Sequence, residues 1–332
     1  MNTTNASRDD AAGGVDFGGE RFAADTEIVD LVNVSPPDLE PLRGLPGLRE
    51  LRLRHTNPHR TPGGLPLDLG PLSAAAALQV LAVPGRPVHD LAPLRGLPEL
   101  REIDVSGTAV DDLSAVQGAE RLRVLKARAT GVRTLEPLRD LTALRVLDIA
   151  HTPVSDLSPI AGLTELTELH LSGTSVADLG PLAALSRLTT LSVDDIPITA
   201  LSGLVDLPWF AAVRRLDLSG TALRSIDGVE RARKAEEVFL FNSAVRDLGP
   251  LEGLAGLEVL RLDNTPVVDL RPLAGVTGLR ELSLAGTRVR DLSALRELPR
   301  LAEIDLQDTG VDADQVAALR ESRPGLVVLG QD

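Results

Sequence analysis

The chain has 332 residues, of which 43 % are hydrophobic and 25 % charged, a balance that excludes wholesale disorder and collagen-like structure. It has no cysteine, which excludes disulfides, cysteine-ligated zinc, iron–sulfur clusters and thiol catalysis. With 34 basic and 48 acidic residues the net charge is −14, a field that repels nucleic acid and anionic membranes.

Residues 1–21 are polar and Gly-rich and read as a disordered tail. They hold no apolar core of a secretory signal, and Asn2 and Asn5 lie in chance glycosylation sequons. No apolar run of about 18 residues is long enough for a membrane span, so a cytoplasmic location is expected. Lys126 and Lys234 are the only lysines, which points to a GC-rich bacterial genome. Residues 22–47 read as a degenerate capping turn, in which Asp38-Leu39-Glu40-Pro41-Leu42 repeats the D-L-x-P-L segment of the later units.

From residue 48 to 312 one unit, L-x-x-[LVI]-x-[LVI], repeats. Its starts fall at Leu48, Leu78, Leu100, Leu122, Leu144, Leu166, Leu188, Val213, Ala235, Leu257, Leu279 and Leu301. The step is 22 residues, except for 30 before Leu78 and 25 before Val213. In the unit at Leu166, alternation sends Leu166, Leu169 and Leu171 inward from a short strand. Gly173-Thr174 forms a bend, and Pro181 opens a short helical turn. Such a unit cannot bury its own apolar face and must stack on its neighbours.

Two polar columns accompany the period. Thr recurs eight residues after the start (Thr56, Thr108, Thr130, Thr152, Thr174, Thr221, Thr265, Thr287, Thr309), with Ser243 as substitute and Arg86 and Ile196 as breaks. Its hydroxyl suits backbone groups that a bend leaves unpaired. Asp recurs twelve residues after the start (Asp90, Asp112, Asp156, Asp178, Asp247, Asp269, Asp291) and suits the turn before each helical segment. Neither column carries the spacing of a calcium loop.

The first interruption, 57–68, reads as a surface loop that could itself serve binding. His55 and His59 flank its start, but Pro58 between them argues against a helical metal pair. The second holds Trp209-Phe210, which read as a plug in the stack. Beyond Asp312, which with Gln315 resembles a capping box, a helix is expected near 313–322 and a closing strand over 326–329. Residues 313–332 thus form a C-terminal cap.

These features, above all VSDLSPIAGLTELTELHLSGTSVADLGPL over 154–182, resemble the leucine-rich-repeat family, in its 22-residue internalin and phosphatase-regulator class. The resemblance covers residues 26–332. It implies a right-handed α/β solenoid, a horseshoe or arc with a parallel concave sheet and short convex helical turns. It also implies use as a protein-binding scaffold. Thr stands here where the family usually has Asn. The signal peptide, helical cap, immunoglobulin-like domain and wall anchor of internalins are not seen, so the adhesin role is not implied.

Outward strand positions fall two, four and six residues after each start. On the first four copies they hold four basic residues (Arg52, Arg54, Lys126, Arg128) and three acidic ones (Glu50, Glu102, Asp104). On the last eight they hold two basic (Arg215, Arg261) and nine acidic (Asp148, Glu168, Asp194, Asp217, Glu237, Asp263, Glu281, Glu303, Asp305). The later copies should prefer a basic protein partner. Phe239 and Phe241 are both outward, an aromatic patch on a polar face and the expected centre of binding. Asp217 and Arg261 should flank Phe239, Ser219 and Asp263 should flank Phe241, and His170 and Asp148 are the further residues expected in the protein-binding face. No cofactor, metal, nucleic acid or membrane enters this reading, and no catalysis.

Two rival functions use other features. Asp148, His170 and Ser192 occupy one outward position on successive strands and could form a hydrolytic relay. No nucleophile elbow accompanies them. A ligand-sensing module acting in trans is the third reading.

Overall fold

A computed structural model describes residues 14–34, 38–55, 66–201 and 203–330. The chain divides into two compact units, residues 1–131 and 132–332.

The first unit opens with an antiparallel hairpin, β1 (Val15–Phe17) and β2 (Glu20–Phe22). This corrects the expectation of a disordered tail through residue 21. Phe17 is buried, and the turn places Gly18 and Gly19 at positive φ. The hairpin therefore has a ring to bury and a turn that glycine allows. A parallel sheet follows in chain order, with one strand per repeat: β3 (Ile28–Val32), β4 (Glu50–Arg54), β5 (Val80–Ala82), β6 (Glu102–Asp104) and β7 (Val124–Lys126). Strand β3 and the 3-10 turn Glu40–Gly44 give the segment 22–47, read as a capping turn, the same two elements as the later units. Its inward Val29 and Leu31 are buried, although Thr26 stands where the later units begin with Leu, Val or Ala. Thr56 and most of the 57–68 insertion, with His59, lie outside the described residues.

The second unit continues the plan: β8 (Val146–Asp148), β9 (Glu168–His170), β10 (Thr190–Ser192), β11 (Arg215–Asp217), β12 (Glu237–Phe239), β13 (Val259–Arg261), β14 (Glu281–Ser283), β15 (Glu303–Asp305) and β16 (Val327–Leu329). Each pairs in parallel with the next. Between β15 and β16 lies α1 (Ala313–Ser322), whose N-cap Asp312 accepts from the Gln315 N–H. The capping box is half realised: the Gln315 side chain instead accepts from the N–H of Leu292 in the preceding turn.

Apart from α1, the return segments are built on short 3-10 turns, as at Gly180–Ala184. The Asp column explains how such short turns are held. Asp90, Asp112, Asp156, Asp178, Asp247, Asp269 and Asp291 each accept from the backbone N–H two residues on, at 2.7–2.9 Å. These donors have no partner within the turn itself.

At the strand ends a second device recurs. Seven residues after the start the backbone is left-handed, with φ of 52–68° from Gly85 to Asp308. Gly, Asn and Asp fill most of this column, the residues that reach this region at least cost. At Gly173 a side chain would also collide with the His151 ring below it. The next residue is the column Thr. Thr108, Thr130, Thr152, Thr174, Thr221, Thr265 and Thr309 each donate a hydroxyl to the carbonyl three residues back, at 2.6–2.7 Å. The buried hydroxyls of Thr287 and Ser243 make no such bond.

Candidate functional site

Inward positions are nearly uniform, being Leu, Ile or Val with occasional Ala, and almost all are buried. Chemistry varies only outside, so the outward strand face of the second unit is the candidate site. Register sets Asp217 beside Phe239 and Phe239 beside Arg261. Around them lies a cation–π cluster. The Arg215 guanidinium sits 4.6 Å from the Phe239 ring centroid and donates to Glu237 at 2.7 Å, while that of Arg261 sits 5.8 Å from the same ring. An arginine at such a distance is attracted by the negative ring face.

This corrects the expectation of two exposed rings. Phe239 points outward but is only 7 % exposed, because flanking arginines shield it. Phe241 is half-buried and keeps part of its surface open. Arg215 was the residue sequence reasoning left out of the cluster. Its position in the unit before Phe239 was the available signal.

Asp217 is half-buried beside that ring, and burial pushes its pKa up from the ordinary carboxylate range. The Ser219 N–H, at 3.1 Å, opposes the shift. Asp263 accepts a hydrogen bond from Ser283, and Asp194 one from Ser172. Arg261 is exposed and forms no ion pair among the described residues.

The other predicted row is only partly assembled. His170 Nδ1 lies 3.1 Å from Ser192 Oγ. The Asp148 carboxylate is turned to the Ala150 N–H, 3.0 Å away, and ties down its own strand end. Ser192 is buried. A hydrolytic relay would need the carboxylate on the imidazole.

The interruption in this unit is filled as expected. Trp209 and Phe210 are buried with ring centroids 6.1 Å apart, and the indole N–H donates to the Leu182 carbonyl at 2.7 Å. No described helix is long and apolar enough to cross a membrane.

No family model matches the chain, and no curated protein matches it. Solved structures do. An internalin (inlF) from Listeria monocytogenes aligns with a TM-score of 0.79 at 18 % identity, over 95 % of this chain and 90 % of that one. An internalin C2 from the same organism aligns at 0.53 and 30 % identity, over 56 % and 80 %. TLR13, solved in complex with ssRNA13, aligns at 0.63 and 15 % identity, over 91 % and 54 %. With one parallel strand per 22-residue unit and these neighbours, the chain belongs to the leucine-rich-repeat proteins and resembles the internalins.

Proposed function

We propose that the chain is a non-catalytic protein-binding scaffold that takes a basic partner on the outward strand face of its second unit. The observation that carries this is the chemistry of that face: nine acidic and two basic side chains, with the Arg215–Phe239–Arg261 cluster among them. Inward positions are fixed by packing, whereas nothing in the fold demands an aromatic ring under two arginines. The same charge disfavours an RNA ligand, since phosphates would meet mostly carboxylates. The test is affinity purification on the full chain and on Phe241→Ala/Arg261→Ala. Both side chains lie outside the core, so folding persists. A partner retained by the first and lost by the second is expected. Equal retention by both, or capture of RNA instead, would count against the reading.

The contact of His170 with Ser192 keeps a hydrolase as the second reading. Esterase activity that survives in Ser192→Ala removes it.

A further inference from the structure

Beyond the Phe239 cluster, the outward face of the second unit ends in a symmetric row. Register aligns Val259, Glu281, Glu303 and Val327, at position two of four successive strands β13 to β16. The row beside it is Arg261, Ser283, Asp305 and Leu329. Most of these side chains line one shallow depression.

Two features of this place are unlike the rest of the face. The first is charge. Glu237 is paired with Arg215, Asp194 and Asp263 accept from serine hydroxyls, Asp148, Asp217 and Asp305 accept from the amides of Ala150, Ser219 and Gln307, and Glu168, which has no ion pair among the described residues, stands between the uncharged Val146 and Thr190. Glu281 and Glu303 stand side by side, both exposed, with no ion pair or hydrogen bond among the described residues. Like charges directly opposite one another in a sheet are unfavourable. The second is apolar exposure. Val327 is 50 % and Leu329 42 % exposed, two of the five large hydrophobic side chains exposed among the described residues.

We propose that this end of the face seats an extended segment of the protein partner with the pattern apolar-x-Arg-x-apolar. The inference rests on the protein-binding reading above and specifies its chemistry. A guanidinium placed between two carboxylates on strands about 4.8 Å apart can donate to both, which a compact ammonium does less well. From that midpoint, Val259 on one side and Val327 on the other lie one and a half strand spacings away, about 7 Å. Two residues of extended chain span about 6.8 Å and return the side chain to the same face. The arginine and apolar residues two before and two after it therefore match the row in both spacing and chemistry.

The test uses a phage-displayed library of random 12-residue peptides selected on the full chain, with anisotropy of the labelled winners as readout. Enrichment of Arg with branched apolar residues at both i−2 and i+2 is expected. Binding should weaken about tenfold on Glu281→Gln/Glu303→Gln and severalfold on Leu329→Ser. Thermal melts of these surface variants establish that they remain folded. Winners that ignore both variants but are lost on Phe241→Ala would overturn this seat and leave the wider reading intact. Winners that are acidic, or no winners beyond those of a Glu281→Arg/Glu303→Arg control, would overturn the seat; winners insensitive to Phe241→Ala as well would overturn the wider reading too.

Discussion

Between Leu48 and Leu301 each unit breaks the 22-residue period once, and the two close their breaks with opposite chemistry. In the first, Arg86 occupies the threonine column beside the insertion and is only 3 % exposed. Its guanidinium donates to the carbonyls of Leu53, at 3.4 Å, and Val34. Burial lowers its pKa, but arginine starts so high that it stays charged. In the second, Trp209 and Phe210 fill the gap with apolar volume, and a single indole N–H meets the Leu182 carbonyl. An interruption poses two problems, empty volume and unpaired carbonyls. Among the described residues, Arg86 answers the second problem in the first unit, and Trp209 with Phe210 answers mainly the first in the second unit.

The largest effect should come from removing the apolar plug. Trp209→Ala creates a cavity and strands the Leu182 carbonyl, and a loss of about 3–5 kcal/mol is expected in denaturant unfolding. Trp209→Phe keeps most of the volume and loses only the indole donor, for about 1 kcal/mol. If both variants lose equally, the plug works by hydrogen bonding and the contrast with Arg86 fails.

Arg86→Thr comes next. It restores the residue that the column repeats elsewhere, yet a threonine hydroxyl cannot reach the carbonyls that Arg86 spans. A loss of about 2–3 kcal/mol is expected, from buried acceptors left unmet. An unchanged or raised Tm would mean that the column, and not the insertion, dictates this position.

The repeat was legible because Leu, Val and Ile recur at fixed offsets over many copies, and inward burial follows from alternation alone. Thr108 and Asp112 were legible as backbone partners for the same reason. The hairpin at residues 15–22 was not, since its one buried ring, Phe17, lies in a stretch otherwise polar and rich in glycine. Strand β3 was missed because polar Thr26 replaces the apolar residue that announces the later units. At the candidate site, periodicity gave the neighbours Asp217, Phe239 and Arg261 but not the exposure of Phe239. That exposure depends on where the flexible side chain of Arg215 comes to rest, and no spacing rule encodes it.

A smaller effect separates two threonines of one column. Thr265 donates to the Leu262 carbonyl at 2.6 Å, whereas the buried Thr287 hydroxyl has no partner among the described residues. Thr265→Val should therefore cost about 1 kcal/mol, and Thr287→Val should be neutral or slightly stabilising. Equal losses in thermal melts would show that the column serves packing. The claim that Arg86 stands in for a hydrogen-bond donor would then lose its support.

The smallest effect compares one aspartate in each unit. Asp104 in the first unit and Asp217 in the second occupy the same repeat position and accept from the N–H two residues on, at 3.0 and 3.1 Å. Their neighbours differ: Lys126 stands beside Asp104 in register, and Phe239 beside Asp217. Asparagine keeps the carbonyl that accepts the strand-end amide, so each substitution removes charge alone. Because the folded-state pKa of Asp217 is raised, its ionised form is disfavoured in the fold and costs stability at neutral pH. Asp217→Asn should raise Tm by about 1–3 °C at pH 7. As pH falls through the raised folded value toward the unfolded one, the native carboxyl takes up its proton and the cost disappears. The advantage of the variant should shrink over that window. Asp104→Asn should give no such gain, since it removes a carboxylate that faces a lysine. A gain at Asp104 equal to that at Asp217, or one at Asp217 that persists under acid, would mean that the aromatic cluster does not set the electrostatics of this face.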